Sequence, residues 1–258
     1  MVRIRSTTIF VTLSVAVLIL VHIIFQNLLP SYAEAQNQTT QNITQGIPTT
    51  ISKEAQEELQ KDPFDPSLIK SPDPTDLKGW KEQYNNFESI SAEFSRPIVE
   101  LYQPNITDAK LGGLHILDIK PKNWNDNGKV LVYTHGGAYT FGSANSTLGI
   151  PVLVANETGL RVISINYTVA PFSKWSQTTD EVISVIQALI EKQGYSLEDD
   201  IAMFGESAGG GLVAGSVLKM RDKGLGMPAA VVLWSPWLDL TGNGDTYFTL
   251  KNEDLFLS

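Results

Sequence analysis

The sequence predicts an α/β fold, a mainly parallel sheet with helices on both faces. Two observations carry that prediction. From about residue 97 onward, short apolar runs rich in β-branched residues alternate with longer stretches of helical periodicity, the pattern of successive β–α units. Runs such as Val130–Thr134 (VLVYT) and Val231–Trp234 (VVLW) are apolar on successive rather than alternate residues, which suits strands covered above and below. With 258 residues and 42% hydrophobic content, the chain can bury a sizeable core in one large domain or two small ones.

In chain order, Arg3 and Arg5 precede a stretch without charge that lasts until Glu34, with its apolar heart at Ile9–Phe25. Ala33-Glu34-Ala35 has the small-x-small form of a processing site. Residues 1–35 are therefore expected to be a signal peptide or a membrane anchor. The two arginines put the remainder on the extracytoplasmic side, secreted or anchored. Residues 36–52 carry no charge and are rich in Gln, Asn and Thr, so they have too little apolar surface to offset the entropy of ordering and read as a disordered tether. N-x-S/T sequons stand at Asn37, Asn42, Asn105, Asn145, Asn156 and Asn166, a pattern that an Asn/Thr-rich chain also produces by chance.

Residues 53–96 read as helical, punctuated by Asp62-Pro63, Asp65-Pro66, Ser71-Pro72 and Asp73-Pro74. Trp80, Tyr84, Phe87 and Ile90 recur at helical spacing and are read as a packing stripe. Expected strands are Ile98–Leu101, Leu114–Ile119, Val130–Thr134, Val162–Asn166, Ile201–Phe204 and Val231–Trp234. Expected helices are Ser146–Glu157, Thr179–Lys192 and Ala208–Lys223.

Composition closes several routes to function. A net charge of −9 lacks the basic footprint of nucleic-acid binding. The absence of cysteine excludes a disulfide framework, a thiolate metal site and a thiol nucleophile. Histidine occurs only at His22, His115 and His135.

Gly205-Glu206-Ser207-Ala208-Gly209 is a G-x-S-x-G, which chance alone would give in about one such chain in eight. Its setting adds weight: an expected strand ends at Phe204 and an expected helix begins at Ala208, as a nucleophile elbow requires. Gly209-Gly210-Gly211 in a first helical turn would cost about 1 kcal/mol each relative to alanine, which a merely structural helix start rarely tolerates. The second element is His135-Gly136-Gly137-Ala138-Tyr139, directly after Val130–Thr134. A loop without Cβ atoms lets N–H groups point at a developing oxyanion, and Gly136 and Gly137 would act together with Ala208.

HGGAYTFGS, NYTVAP, GESAGGG and SPWLDLT occur in the order found in α/β-hydrolases, and the chain resembles the hormone-sensitive-lipase-like, HGGG-type esterases over about residues 80–258. The resemblance implies hydrolysis of small, rather apolar carboxylic esters through an acyl-enzyme, with no metal or organic cofactor. Ser207 would be the nucleophile and Gly136, Gly137 and Ala208 the oxyanion hole. His135, Gly205 and Gly209 would be supporting residues, His135 orienting the loop rather than serving as base. Residues 53–96 would be a lid-like helical segment and 97–258 a partial hydrolase core. Asp239, of the Trp237-Leu238-Asp239 stretch, would be a structural partner. Two departures are mild: Ala138 replaces a third glycine, and Phe172 stands where an acidic residue follows Ala-Pro in that family.

One departure is serious. The triad order in this fold is Ser, acid, His, yet no histidine follows Ser207. His115 reads as an ordinary strand histidine. The expectation is an esterase truncated at its C-terminus, without triad acid or base and so nearly inactive alone. The alternative is a non-catalytic hydrolase-fold binding protein.

Overall fold

The computed structural model describes residues 50–61 and 71–249, so the signal or anchor expected at 1–35 and most of the expected tether lie outside the described residues. Among the described residues, no helix is long and apolar enough to cross a membrane. They fall into two compact units, of which 71–241 holds the sheet. Helix α1 (Lys53–Lys61) belongs to the other unit.

Within 71–241, α2 (Leu77–Tyr102) starts at Asp76, whose carboxylate accepts the Gly79 N–H at 2.9 Å. A strand was expected at Ile98–Leu101, and the structure corrects this: these residues form the last turns of α2, beyond Pro97. Ile98, Val99 and Tyr102 pack together against a core cluster at helical spacing while Leu101 faces outward. Tertiary burial thus overrides the β preference of Ile and Val.

β1 (Asn105–Leu111), not expected, pairs antiparallel with β2 (Leu114–Lys120) through Gly112-Gly113, whose φ values of 59° and 88° suit a tight two-residue turn. There follow β3 (Val130–Thr134), α3 (Gly149–Thr158), β4 (Arg161–Ile165), α4 (Trp175–Gln193), the short α5 (Leu197–Asp200), β5 (Ile201–Glu206), α6 (Ala208–Asp222) and β6 (Ala230–Trp234). The four-residue α7 (Thr246–Thr249) belongs to the other unit.

The sheet order is β1-β2-β4-β3-β5-β6, with β4, β3, β5 and β6 mutually parallel, β2 antiparallel to them, and β1, antiparallel to β2, running in their direction at the edge. Successive residues of β3 serve opposite faces, as a strand's period of two demands. Val130 and Val132 join Ile163, Met203, Leu189 and Leu212 beneath α4 and α6, whereas Tyr133 joins Ile119, Val152, Val162 and Phe204 beside α2 and α3. Both faces are therefore covered around β4, β3 and β5, and the C-terminal ends of β3 and β5 lie side by side with Thr134 opposite Gly205.

Candidate active site

Ser207 stands between β5 and α6 at φ 53°, ψ −122°, a region an L-residue occupies only under strain. Its carbonyl takes the N–H groups of Gly211 (3.1 Å) and Trp237 (2.9 Å), and its own N–H donates to Trp234 at 2.9 Å. The side chain is exposed and caps nothing. The backbone is thus pinned on both sides while the hydroxyl is presented to solvent.

The flanking glycines are required by space. A Cβ on Gly205 would lie 2.6 Å from the Thr134 carbonyl oxygen and 2.7 Å from that of Gly209. A Cβ on Gly209 would collide with the carbonyl oxygens of Thr134 and His135. Those obstacles are backbone and cannot rotate away. The same approach brings the loop after β3 against the start of α6, where Thr134 Oγ1 donates to the Gly209 carbonyl at 2.8 Å.

In that loop His135 is fully buried. Its ring stacks on Tyr167 at 4.1 Å between centroids, and Tyr167 donates its hydroxyl to the His135 carbonyl at 2.6 Å. Nδ1 lies 2.7 Å from the Gly136 carbonyl, which can only accept, so Nδ1 carries the proton and Nε2 is the bare nitrogen. Burial pulls the imidazole down to about 4, against the raising effect of that backbone bond. It is neutral near pH 7 and shielded from solvent, an orienting group rather than a proton acceptor for Ser207.

The Gly136 N–H is already taken, donating to Glu206 Oε1 at 2.6 Å. A negative acceptor at that distance holds the proton firmly. The N–H groups of Gly137, Ala138 and Tyr139, at φ 114°, 52° and 60°, have no partner among the described residues, and Ala208 at the start of α6 is likewise unengaged. Ala138, read as a mild departure, therefore keeps an unengaged N–H in the loop, whereas that of Gly136 is bound to Glu206.

His115 does not complete a triad. It is exposed, with Nδ1 3.3 Å from Asp108, and two strands separate β2 from β5, about 14 Å at normal strand spacing. Among the described residues, no imidazole reaches Ser207, and no group of His, Asp and Glu could hold a metal ion. Asp239 accepts the N–H and hydroxyl of Thr241 at 2.8 and 2.6 Å, a local turn bond.

The aromatic stripe of α2 packs on the loop. Trp80 and Phe87 lie 6.0 and 5.4 Å from Phe141 between ring centroids. One turn further, Glu88 receives the hydroxyls of Ser143 and Ser146, and Ser95 bridges the Ser146 carbonyl and the Gly149 N–H at 3.0 Å each. Glu88, Tyr133, Tyr167 and Glu206 were not singled out from sequence. Glu206, inside the G-x-S-x-G, and Tyr167, inside NYTVAP, carried a usable signal.

Residues 131–258 match the family model described as the α/β-hydrolase fold. An esterase structure from the bacterial hormone-sensitive lipase family superposes with a TM-score of 0.64 at 26% identity, covering 74% of this chain and 61% of that one. The fold is that of the α/β-hydrolases, and the chain is similar to the hormone-sensitive-lipase family among them. The chain is also 31% identical over 131 residues to an acetyl-hydrolase of Streptomyces hygroscopicus, covering 51% of this chain and 43% of that protein. An esterase of Acinetobacter venetianus is 31% identical over 130 residues, covering 50% and 42%. The chain thus spans less than half the length of these curated relatives.

Proposed function

We propose that the protein is a serine carboxylic-ester hydrolase in which Ser207 attacks the ester carbonyl and forms an acyl-enzyme. One observation carries this reading: an exposed serine hydroxyl at positive φ on a strand-to-helix elbow that only glycine flanks permit. The N–H groups of Gly137, Ala138 and Ala208 would stabilise the tetrahedral oxyanion. Removing one such donor typically costs about 3–4 kcal/mol of transition-state stabilisation. Attack forms the Ser207 Oγ–carbon bond, the alcohol leaves with a proton, and water then releases the acid. Every contribution assigned so far comes from protein groups, with no cofactor in the scheme. Relatives named acetyl-hydrolase and esterase support small acyl groups as the substrate class. Export by residues 1–35 remains part of the proposal, from the Arg3/Arg5 flank and the apolar run.

A second reading, a non-catalytic binding protein, is favoured by the lack of any described imidazole near Ser207, since a serine without a base is a weak nucleophile. Incubating the chain, completed with a triad acid and histidine after Ser207, with a fluorophosphonate separates the two. A covalent adduct mapped by mass spectrometry to Ser207, and lost in Ser207→Ala, is the expected result. An unlabelled completed chain, or label on a different residue, overturns the esterase assignment in favour of binding.

A further inference from the structure

The reaction as proposed leaves one buried carboxylate without a task. Glu206 closes β5 immediately before the nucleophile. Its Oε1 accepts both the Gly136 N–H (2.6 Å) and the Tyr133 hydroxyl (3.1 Å), and Oε2 is buried with no partner. A Cβ on Gly136 would come within 2.9 Å of Oε1, so the glycine is needed there to seat a carboxylate rather than to free a donor. The titratable groups around it are Tyr133 from β3 and, acting through space, Tyr167 from the segment after β4. No lysine or arginine acts on it. The neutral His135 of the loop contributes no charge.

We infer that Glu206 is the positioning residue of the oxyanion loop, its carboxylate clamping the Gly136 peptide so that the next two N–H groups, of Gly137 and Ala138, are held ready for the substrate oxygen. The inference rests on Ser207 being the nucleophile, but its geometry does not. A loop with its first peptide bound to a charged acceptor has lost the freedom to swing, and fixed donors cost no reorganisation when charge develops. A neutral carboxyl is a poorer acceptor, so the clamp weakens when Glu206 is protonated. Burial raises the group to about 7, opposed by the Gly136 and Tyr133 bonds, so the loosening falls in the neutral range.

The test uses the full chain, with hydrogen–deuterium exchange over residues 136–142 and fluorophosphonate labelling, both from pH 6 to pH 8.5. In wild type, protection of this segment should rise with pH through about 7. In Glu206→Gln that rise should vanish, with protection at pH 8 about tenfold lower. The labelling rate at saturation should fall about tenfold while half-saturation stays within about twofold, the signature of an interaction made in the transition state. Tyr133→Phe removes the second donor to Oε1 and should move the wild-type transition to higher pH; it decides the matter if the glutamine variant does not fold. Exchange that is unchanged in Glu206→Gln, or a midpoint unmoved in Tyr133→Phe, overturns the positioning role. The expected exchange in a wild type that does not label supports the clamp independently of the nucleophile assignment.

Discussion

The elbow and the oxyanion loop meet at one point of the molecule but are held by opposite means. At the elbow, geometry is set by backbone against backbone: Gly205 and Gly209 lie where a Cβ would enter the carbonyls of Thr134, His135 and Gly209, and Ser207 is pinned by three main-chain bonds. The loop is set by five side chains from four places in the chain: His135 itself, Tyr167 after β4, Glu206 at the end of β5, and Phe87 and Glu88 on α2. Steric exclusion is all or nothing. A web of side-chain bonds is graded and titratable. The nucleophile should therefore be the rigid partner and the oxyanion loop the adjustable one.

The largest way to break this contrast is Gly209→Ala. The added carbon has nowhere to go, because its obstacles are main-chain oxygens at the junction of β3, β5 and α6. We expect a loss of more than about 4 kcal/mol, the range reserved for overpacking of a fixed site, seen as failure to fold or as a collapse of the thermal midpoint. A folded Gly209→Ala protein with near-wild-type melting would show the elbow to be as adjustable as the loop.

The next effect is electrostatic and sharpens the comparison within the loop. Glu206 is raised from 4.5 to about 7, so the folded state binds its proton more tightly than the unfolded one. The stability it contributes is fully present below pH 4.5 and is lost as pH rises through 7. His135 is lowered from 6.5 to about 4, so its contribution is present above pH 6.5 and is lost as pH falls through 4. Each is worth at most about 3 kcal/mol by linkage, and between pH 4.5 and 6.5 the two slopes oppose one another. Glu206→Gln removes one slope. Relative to the variant, wild type should gain stability on acidification from pH 7.5 to 4.5, measured by urea unfolding at each pH. A gap between the two proteins that does not change with pH would place the Glu206 carboxyl in an environment no different from water.

The same contrast explains what could be read in advance. The elbow was legible because its constraint is local: glycine two residues to either side of a serine, at the seam of an apolar strand and a helix, is written within Gly205–Gly209. The parallel core strands were legible from their unbroken apolar runs. β1 was not, because Asn105–Leu111 is a mostly exposed edge strand of mixed polarity, NITDAKL, without the alternation that marks a half-buried one. The end of α2 misled because Ile98-Val99 after a proline imitates a strand, and only packing against Val152 and its neighbours shows otherwise. That the Gly136 N–H is already engaged was not legible for a related reason. Gly136 carries the same local signal as Gly137, and what separates them is a carboxylate 70 residues away in sequence.

The smallest effect tests how far the web extends. Glu88 joins α2 to the turn that follows Phe141, accepting the hydroxyls of Ser143 and Ser146, both nearly inaccessible to solvent. Ser143 and Ser146 in turn bond the N–H groups of residues 143, 145 and 146, so the carboxylate organises a turn rather than a single contact. In Glu88→Gln the amide oxygen can still accept one hydroxyl, but its NH₂ presents donors where an acceptor stood. One charge-assisted bond is lost and the shape is kept, which should cost about 1–2 kcal/mol in chemical unfolding. If α2 braces the loop, the weakened turn passes through the Phe87–Phe141 stack to Gly137 and Ala138, and exchange in residues 137–142 should quicken about threefold. Exchange at Gly205–Gly211 should stay as in wild type, because nothing from α2 enters the elbow's own bonds. Equal quickening in both segments would mean that elbow and loop move as one body, and the contrast between them would fail.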